Sequence, residues 1–507
     1  MIKNLAQLIE KTGKLASKTA IIFENKKFDY YYLKNNSDKF AQALITLGIS
    51  KGERVGILLR NCPEFVISLF GVIKAGAIAV PLNFMLTEEE LKPIIEEAGI
   101  KVIISCRKYF DILQRLRLRI EFFQDIILID DQQKKGFYSI INKVYPGINL
   151  PQLLPDEVAV IIYTSCTTGK PKGVMLSHQN FLANIKSALK VVSFSHRERV
   201  ICLLPLFHSF ALTVCLFLPL YISAPVILIS RLGPFRRVFT SMIKHRVTIF
   251  VGVPPIFKLI ADMKMPWYMK IPVVKKMILP LKICISGAAP LPLEVWHRFE
   301  RNFGIPLLEG YGLTEASPVV SINPPYRVKP GSVGLPLPGI EVRVVNEDGT
   351  FLPPGKEGEL IVKGENIMKG YYKKEEETAA VIKDGWLYTG DIARLDEEGY
   401  IYILDRKKDL IIVRGLNVYP REIEEVIYYH PKVKEVCVVG VEDKSRGEVP
   451  KAFVVVKEGE ELTAKELLEF LRLRLARYKI PRYIEFRDEL PKSPSGKILR
   501  KELKDKI

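Results

Sequence analysis

One loop combines the hydroxyls, glycines and lysines that phosphate chemistry needs. It reads Tyr163-Thr-Ser-Cys-Thr-Thr-Gly-Lys-Pro-Lys-Gly-Val174 and directly follows an apolar run, Val158-Ala-Val-Ile-Ile162. Backbone N–H groups, hydroxyl donors and positive charge at the end of a strand can together surround a phosphate. The loop does not have the Gly-x-x-x-x-Gly-Lys-Ser/Thr spacing of a Walker A motif. We therefore predict a strand followed by a phosphate-binding loop of another kind, with a polar hairpin as the alternative.

Other short segments carry residue types that suit a nucleotide, a metal ion or an acid. An aromatic face suits a purine, a carboxylate suits Mg²⁺, and a lysine on an ordered loop can meet developing negative charge. Each segment alone also fits an ordinary glycine turn or an exposed lysine. Only their occurrence together in one chain indicates a site for a nucleotide, a metal ion or an acid. In chain order they are Leu204–Phe210, Ser286–Pro290, Gly310–Glu315, Tyr388–Asp391, Leu404–Asp409, Val413–Val418 and Pro491–Lys497.

The segments around these motifs alternate between strand-like and helix-like patterns. Arg54–Leu59 predicts a strand, Pro63–Lys74 a helix and Ala77–Val80 a second strand. Such alternation indicates βαβ units and largely parallel, buried sheets. After Lys408 charged helices alternate with apolar strands, and Thr463-x-x-Glu466 resembles a capping box. The sequence therefore predicts an α/β region followed by a compact α+β domain.

Taken in order, the motifs resemble those of the adenylate-forming superfamily, which includes acyl-CoA synthetases, luciferases and peptide-synthetase adenylation domains. They run from about Arg54 to Lys497, so the resemblance covers nearly the whole chain. It implies an α/β fold whose large N-terminal domain, residues 1–405, contains mostly parallel sheets. It also implies a small mobile C-terminal α+β domain, residues 406–507, and the use of ATP, Mg²⁺ and coenzyme A.

The resemblance assigns the nucleotide and the metal ion to particular side chains. Tyr311 is implied to stack on adenine, Thr314 to contact the α-phosphate, and Glu315 to hold Mg²⁺ together with Thr164. Asp391 is implied to accept hydrogen bonds from both ribose hydroxyls. The remaining positions implied to bind the nucleotide or line the site are Ser165, Thr167, Thr168, Gly169, Lys170, Gly287, Ala288, Ala289, Gly310, Gly312 and Arg406.

Three lysines and one glycine are implied to serve catalysis and domain motion. Lys172 belongs to the phosphate loop, and Lys497 corresponds to the adenylation lysine of the family. Lys408 occupies the hinge position between the two domains. Gly415 would let a small-domain loop approach the pantetheine arm of coenzyme A closely, because glycine has no Cβ. A β-turn glycine is the alternative at that position.

His208 bears on the class of acid. Relatives that activate α-amino acids tend to carry an aspartate at this position, whereas His208 is what acyl- and aryl-CoA synthetases carry. The resemblance implies that His208 lies at the substrate carboxylate or the pocket wall, with a structural histidine as the alternative. The apolar run Val251–Phe257 and the room expected at Gly287 favour a medium- or long-chain fatty acid.

The implied reaction is an AMP-forming acid:CoA ligation through an acyl-adenylate. Cys166 departs from the family pattern, which has glycine at this loop position, and any Cβ there restricts the backbone. Slower adenylation, altered loop mobility and no effect are all open outcomes of that departure. Two other functions stay open: an acid ligase that loads a carrier protein in trans, and a non-catalytic acyl- or adenylate-binding relative.

Composition limits the partners and the compartment. The net charge of +18 favours phosphate-rich small molecules or a lipid surface over nucleic acid, because no nucleic-acid-binding motif accompanies the basic residues. The cysteines form no Cys-x-x-Cys pair and the start lacks a signal-like apolar stretch, which favours the cytoplasm. The basic, apolar stretch Met263–Leu281 predicts peripheral membrane contact, with a surface helix as the alternative. A homodimer is a further hypothesis.

The uncharged stretch Ser209–Ser230 is long enough to span a bilayer. Pro219 and Pro225 interrupt it, and its second half is rich in the β-branched residues typical of a buried strand. We therefore predict a core helix followed by a core strand, with a transmembrane span as the alternative.

Overall fold

The computed structural model describes residues 2–131, 136–164, 171–231, 233, 235–263, 277–413, 416–443, 447–492 and 498–504. The α-helices are α1 (Tyr30–Thr46), α2 (Pro63–Lys74), α3 (Glu88–Ala98), α4 (Phe110–Arg119), α5 (Phe137–Ile141), α6 (His178–Val191), α7 (Leu218–Tyr221), α8 (Phe235–Lys244), α9 (Pro254–Ala261), α10 (Leu293–Phe303), α11 (Glu375–Val381), α12 (Pro420–Tyr428), α13 (Ala464–Arg472) and α14 (Arg500–Lys504). The strands are β1 (Thr19–Phe23), β2 (Lys26–Asp29), β3 (Arg54–Ile57), β4 (Ile78–Pro81), β5 (Val102–Ser105), β6 (Asp125–Leu128), β7 (Val158–Thr164), β8 (Lys172–Ser177), β9 (Val200–Cys202), β10 (Val226–Leu228), β11 (Ile249–Gly252), β12 (Ile283–Ser286), β13 (Leu307–Gly312), β14 (Val319–Ile322), β15 (Leu335–Pro336), β16 (Ile340–Val345), β17 (Gly358–Gly364), β18 (Gly370–Tyr371), β19 (Ile382–Lys383), β20 (Trp386–Leu395), β21 (Ile401–Arg406), β22 (Ile411–Val413), β23 (Leu416–Val418), β24 (Val433–Asp443), β25 (Gly447–Val456) and β26 (Tyr483–Phe486).

Sheet I carries the strand that precedes the phosphate loop. Its order is β18-β8-β7-β4-β3-β5-β6; the neighbours from β7 to β6 pair in parallel, whereas the β7–β8 and β8–β18 pairs are antiparallel. The run Ala159–Ile162 in β7 is buried, as expected for a parallel strand whose two faces are both covered. Thr164 ends β7, so the loop begins at the carboxyl edge of the sheet.

Sheet II supplies the other motifs of the large region. Its order is β15-β14-β13-β12-β11-β9-β10-β1-β2. The neighbours from β13 to β1 pair in parallel, whereas the β15–β14, β14–β13 and β1–β2 pairs are antiparallel. One hydrophobic core joins sheets I and II and contains Val55 of β3, Phe70 of α2 and Phe250 of β11. Phe70 and Phe181 of α6 both pack edge-on against Phe217, so helices fill the space that the sheets share.

Two antiparallel-rich sheets complete the chain. Sheet III has the order β16-β17-β20-β19 with β21 beside β20, and sheet IV has the order β23-β22-β25-β24 with β26 beside β25. A 3₁₀ turn, Lys407–Asp409, connects β21 to β22 and so joins the two sheets. Helices α12 and α13 pack on sheet IV through a separate apolar core that includes Ile423, Val438 and Leu467. The predicted fold, with mostly parallel sheets followed by a small α+β region, is confirmed.

The local predictions agree with these elements within a few residues. The helix predicted at Pro63–Lys74 is α2, and the flanking strands are β3 and β4. Thr463 does cap α13, because its side chain accepts the Glu466 N–H at 3.2 Å. The carboxylate of Glu466 instead pairs with Lys432 at 2.9 Å, so this helix start relies on the threonine half of the predicted capping box.

The uncharged stretch Ser209–Ser230 folds as predicted. A π-helical segment, Ala211–Phe217, leads into α7, and β10 follows as a buried strand of sheet II. In the described part of the chain, no helix is long and apolar enough to cross a membrane.

Candidate active site

The described motif residues gather where strands of the two parallel sheets end. Thr164 closes β7, Gly287 follows β12, and Gly310, Tyr311 and Gly312 form the end of β13. The carboxyl ends of parallel strands are the usual ligand-binding edge of an α/β sheet. Sequence reasoning could not measure this convergence, because the motifs are far apart along the chain.

Three of the residues predicted to bind the nucleotide form a group around one buried carboxylate, and we call it the ribose-side group after its predicted ligand. The Tyr311 hydroxyl donates to Asp391 Oδ2 at 2.5 Å, and Arg406 Nε lies 2.6 Å from Asp391 Oδ1. Asp391 and Arg406 face each other directly across the β20–β21 ladder. The side chain of Asp391 is only 3% exposed and that of Arg406 is 42% exposed, so the two strands hold a buried carboxylate against a partly exposed guanidinium.

Burial and the neighbouring carboxylate set the charge states of this group. Burial, together with the charge of Asp391, raises the pKa of Tyr311, so its hydroxyl stays protonated and can donate. Burial alone would lower the pKa of Arg406, but attraction to Asp391 outweighs burial and raises it. The group therefore holds a fixed anion between two donors.

The two motif glycines of β13 are needed by the hairpin they belong to. A Cβ on Gly312 would lie 2.1 Å from the Pro318 carbonyl oxygen, and one on Gly310 would lie 3.0 Å from the Ser321 carbonyl oxygen. Substitution would push β14 away from β13. Glycine at these positions is thus required by strand packing whether or not a nucleotide binds.

Thr314 and Glu315 lie on a 3₁₀ turn directly after β13. The Thr314 hydroxyl lies 3.2 Å from the Ser209 hydroxyl, which brings the predicted α-phosphate residue next to the loop that bears His208. The Tyr371 hydroxyl donates to Glu315 Oε1 at 3.0 Å, and the Met368 N–H donates to the Glu315 carbonyl at 2.8 Å. The segment before α11 therefore fixes both the backbone and the carboxylate of Glu315.

Lys172 and Thr164 face each other across the β7–β8 hairpin that holds the phosphate loop. The Thr164 hydroxyl donates to the Lys172 carbonyl at 3.4 Å. The Lys172 ammonium lies 4.9 Å from the centre of the Tyr371 ring and forms an ion pair with Glu377. That contact with Lys172 lowers the pKa of Glu377.

The predicted acid-side histidine is neutral and partly buried. Burial lowers the pKa of His208 to about 4, so its ring carries no charge at neutral pH. Its Nε2 is buried without a hydrogen-bond partner among the residues that the structure describes. The centres of the Phe207 and His208 rings lie 4.3 Å apart. An unpaired buried nitrogen beside aromatic rings is suited to receive a polar ligand atom.

The turn at Ser286–Pro290 borders the same space. A Cβ on Gly287 would lie 3.0 Å from Phe210 Cζ, so the room expected at Gly287 is taken by an aromatic ring in this structure. Ala288 has a φ of 67°, a left-handed conformation that is uncommon for alanine, and Ala289 is half-buried beside it.

Two buried residues that the sequence motifs did not reveal hold these loops in position. Asn61 donates to the Leu204 carbonyl at 2.9 Å and accepts the Leu206 N–H at 2.9 Å. Glu309 accepts the Leu291 N–H at 3.0 Å, and burial raises its pKa to about 7. A polar residue four positions after the end of β3 was the available signal for Asn61. Glu309 adjoins Gly310, but its burial is visible only in three dimensions.

Lys408 lies in the 3₁₀ turn between sheets III and IV. Just before it, Asp405 accepts the Arg421 N–H at 2.9 Å and pairs with Arg500 at 3.2 Å. Both partners belong to the small C-terminal region, so Asp405 is one of the residues that link the two parts of the chain, by an ion pair with Arg500 and a hydrogen bond from the Arg421 backbone.

Several predicted positions lie outside the described residues, as does most of Met263–Leu281. These positions are Ser165, Cys166, Thr167, Thr168, Gly169, Lys170, Gly415 and Lys497.

The donor set fits Mg²⁺ better than a transition metal. Within the described ranges no group of three or more His, Cys, Asp or Glu residues could hold a metal ion. The carboxylate of Glu315 and the hydroxyl of Thr164 are hard oxygen ligands. Mg²⁺ is commonly held by one or two carboxylates together with substrate phosphates and water.

Comparison with known proteins agrees with this geometry. The model of the AMP-binding enzyme family matches residues 9–372, and that of the AMP-binding enzyme C-terminal domain matches residues 422–497. The long-chain-fatty-acid–CoA ligase of Bacillus subtilis is 39% identical, over 98% of this chain and 93% of that protein. The corresponding ligase of Escherichia coli O6:H1 is 35% identical, over 99% and 94%.

Solved structures give the same result. ATP-bound MatB from Rhodopseudomonas palustris aligns with a TM-score of 0.92 at 30% identity, over 100% of this chain and 99% of that one. The o-succinylbenzoate CoA synthetase of B. subtilis, in complex with its acyl-adenylate intermediate, aligns with a TM-score of 0.87 at 31% identity, over 99% and 98%. The chain therefore belongs to the AMP-binding enzyme family and, within it, to the AMP-forming acid–thiol ligases.

Proposed function

We propose that this chain activates a long-chain fatty acid with ATP and transfers the acyl group to coenzyme A. The observation that carries the proposal is the contact between Ser209 and Thr314, which joins the loop of His208 to the turn directly after Tyr311 and β13. A nucleotide bound at Asp391 would thereby meet a carboxylate held at His208. The two relatives named as long-chain fatty acid ligases support the same class of acid.

The ribose-side group would hold the nucleoside. The Tyr311 ring offers a flat face to adenine, and Asp391 accepts hydrogen bonds from the ribose hydroxyls in place of the Tyr311 hydroxyl. Arg406 offsets the charge of Asp391 both before and after the nucleotide binds. Because Asp391 lies on paired strands, its carboxylate stays in place, and the Tyr311 hydroxyl is the group that yields to the sugar.

The phosphates would lie between the loop after β7 and the turn after β13. Glu315 and Thr164 would hold Mg²⁺, which when bound offsets phosphate charge. Lys172 adds a positive charge, and Thr314 donates to the α-phosphate. The loop residues proposed to surround the phosphates are Ser165, Thr167, Thr168, Gly169 and Lys170.

The first step would join a carboxylate oxygen of the acid to the α-phosphorus and release pyrophosphate. Neutral His208, as the Nε2–H tautomer, would donate to the carboxylate without adding charge. Lys497 would offset the negative charge that develops on the transferring group. Phe207 and Phe210 would exclude water from the acyl-adenylate, which hydrolysis would otherwise destroy.

The second step would follow rotation of the small domain, residues 406–507, against residues 1–405. Rotation about Lys408 would withdraw Lys497 and bring Gly415 to the thiol channel. The thiolate of coenzyme A then attacks the acyl carbon, and AMP leaves with the former carboxylate oxygen. The charge contacts of Asp405 lie next to the proposed hinge and would be among those remade by the rotation.

Peripheral membrane contact is part of the proposal, at the predicted stretch Met263–Leu281 together with helix α8, because Leu279 and Leu281 line the same apolar cavity as that helix. Helix α8 and its flanks expose basic side chains, among them Arg236, Arg237 and Lys244. Phe235 and Phe239 of the same helix line a narrow apolar cavity beneath it. A basic outer face over an apolar interior suits an anionic lipid surface that delivers fatty acids. Vesicle flotation that fails to retain the protein on anionic lipid would remove this part. Homodimerisation stays a prediction.

The test is acid-dependent exchange of pyrophosphate into ATP, with acids from acetate to oleate. Exchange is expected to peak with a long-chain acid and to need Lys497. The Lys497→Ala variant should lose exchange yet still make thioester from supplied acyl-adenylate, because that lysine serves only the first step. Lys501→Ala, exposed on α14, is the matched control. Absence of exchange with every acid would overturn the proposal.

The acceptor is tested in the same assay series. Thioester formed with free coenzyme A supports the ligase, whereas thioester formed only on a carrier protein would assign the loading function. Acyl-adenylate binding without exchange would assign the non-catalytic function and point to Cys166, whose replacement by glycine should then restore exchange.

A further inference from the structure

Lys172 is already occupied by two side chains from one short segment. Its ammonium lies 4.9 Å from the Tyr371 ring centre and is paired with the Glu377 carboxylate. The Lys172 side chain is 20% exposed, so its ammonium meets these two partners at a largely covered position. Any phosphate that uses Lys172 must therefore meet Glu377 first.

Glu377 has a second cation beside it. Lys374 lies 3.5 Å from a Glu377 oxygen and 3.5 Å from a Glu97 oxygen. If Lys172 moved to a phosphate, Glu377 would keep a positive neighbour and would not be left as an isolated anion. An exchange of partners at Lys172 is for this reason inexpensive in electrostatic terms.

Tyr371 connects this lysine to the proposed metal carboxylate. Its hydroxyl donates to Glu315 Oε1 at 3.0 Å, while its ring faces Lys172. Its backbone is fixed on both sides, because β18 pairs with β8 and the Tyr371 N–H donates to Thr378 Oγ1 at 2.9 Å. One rigid tyrosine thus touches both groups that would face the phosphates.

We propose that Glu377 is the resting counter-ion of Lys172 and yields it to the triphosphate of ATP, while the Tyr371 ring stays beside the Lys172 side chain and its hydroxyl stays on Glu315. The inference rests on the proposed function, because it takes ATP as the ligand of this site. A lysine ammonium is a compact point charge with freely rotating donors, so it can change partners by a small rotation. Both Tyr371 and Glu377 act through Lys172 or Glu315 and are positioning residues.

The counter-ion is tested by the dissociation constant of ATP, measured calorimetrically without acid. Glu377→Gln should bind ATP about threefold more tightly, the scale of a half-exposed ion pair, because the competing carboxylate is gone. Lys172→Met should bind at least about tenfold more weakly, and adding Glu377→Gln to it should give no further gain. Glu376→Gln, exposed on the same helix, is the matched control and should match the wild type.

Equal or weaker binding by Glu377→Gln, or a gain that persists beside Lys172→Met, would overturn the counter-ion. If the wild type itself does not bind ATP, the proposed function is wrong, and this inference fails with it.

For Tyr371, the Phe variant keeps the ring and removes the hydroxyl. It should raise the Mg²⁺ concentration for half-maximal pyrophosphate exchange about threefold, the value of one hydrogen bond. An unchanged Mg²⁺ requirement would refute the link to Glu315.

Discussion

The ribose side and the acid side of the site are built in opposite ways. On the ribose side, Tyr311, Asp391 and Arg406 satisfy one another through contacts of 2.5 Å and 2.6 Å. On the acid side, the buried Nε2 of His208 has no such partner among the described residues, and the Phe210 ring covers Gly287. The polar groups of the ribose side are paired with one another in this structure, whereas the acid side is apolar and leaves a buried nitrogen unpaired among the described residues.

The difference follows from which parts of the chain carry each half. Asp391 and Arg406 lie opposite each other on a strand ladder, so backbone hydrogen bonds hold them in place. His208 lies on a loop that Asn61 holds through Leu204 and Leu206, and Phe210 lies at the start of the helical segment that follows it. We infer that the nucleotide meets a preformed surface, while the acid is received by side chains that move. Preformed contacts cost little on binding.

The largest expected effect is on the ribose side. Asp391→Asn should lower kcat/KM for ATP roughly hundredfold, because two hydrogen bonds to a charged acceptor are weakened at once. KM for the fatty acid at saturating ATP should change little. Steady-state AMP release measures both constants, and Asp111→Asn, exposed on α4, serves as the control. A smaller loss than in the acid-side variants would reverse the comparison.

A smaller effect is expected from the acid-side histidine. His208→Ala should raise KM for the fatty acid roughly thirtyfold, since a hydrogen bond to the charged carboxylate is lost. The dissociation constant of ATP should stay that of the wild type. Equal changes for acid and ATP would mean that the loop, and not the imidazole, carries the effect.

Crowding at Gly287 should act on the acid alone. Gly287→Ala places a methyl group 3.0 Å from the Phe210 ring, so the ring must move or lose its position. We expect kcat/KM for palmitate to fall about tenfold, the cost of overpacking a site. The double variant with Phe210→Leu should recover much of the loss. Failure to recover would show that Phe210 does not border the acyl chain.

The smallest expected effect is in pH-dependent stability. Burial lowers the pKa of folded His208 to about 4, from 6.5 when unfolded, so between those values only the unfolded chain binds the proton. This contribution to stability is complete above pH 6.5 and is lost as pH falls toward 4. Between about pH 7 and about pH 5, His208→Gln should lose about 2 °C less in melting temperature than the wild type. An equal loss of melting temperature in the wild type and the variant would contradict the burial of a neutral His208 ring.

The sequence predicted the fold well, because local patterns carry that information. The apolar runs of β7 and α2 are signals that need no partner. The proximity of Asp391 and Arg406 was also predictable, since Arg406 lies on the strand that follows the motif of Asp391. Their roles stay proposals until a nucleotide is bound.

Contacts between distant, unremarkable residues could not be predicted. Tyr371 and Glu377 lie in a polar segment that resembles an ordinary surface turn and helix start. Their contacts with Glu315 and Lys172 arise only because β18 pairs with β8. The room expected at Gly287 was likewise misjudged, since a missing Cβ says nothing about which side chain fills the space.

The central claim is that the acid's own oxygen attacks the α-phosphorus of ATP at this site. The direct test uses palmitate labelled with ¹⁸O in both carboxyl oxygens, together with ATP, Mg²⁺ and coenzyme A, and mass spectrometry of the AMP produced. An acyl-adenylate route transfers one labelled oxygen to each AMP, because the thiolate attacks the acyl carbon and the bridging oxygen leaves with phosphorus. Unlabelled AMP, formed alongside palmitoyl-CoA, would contradict the account.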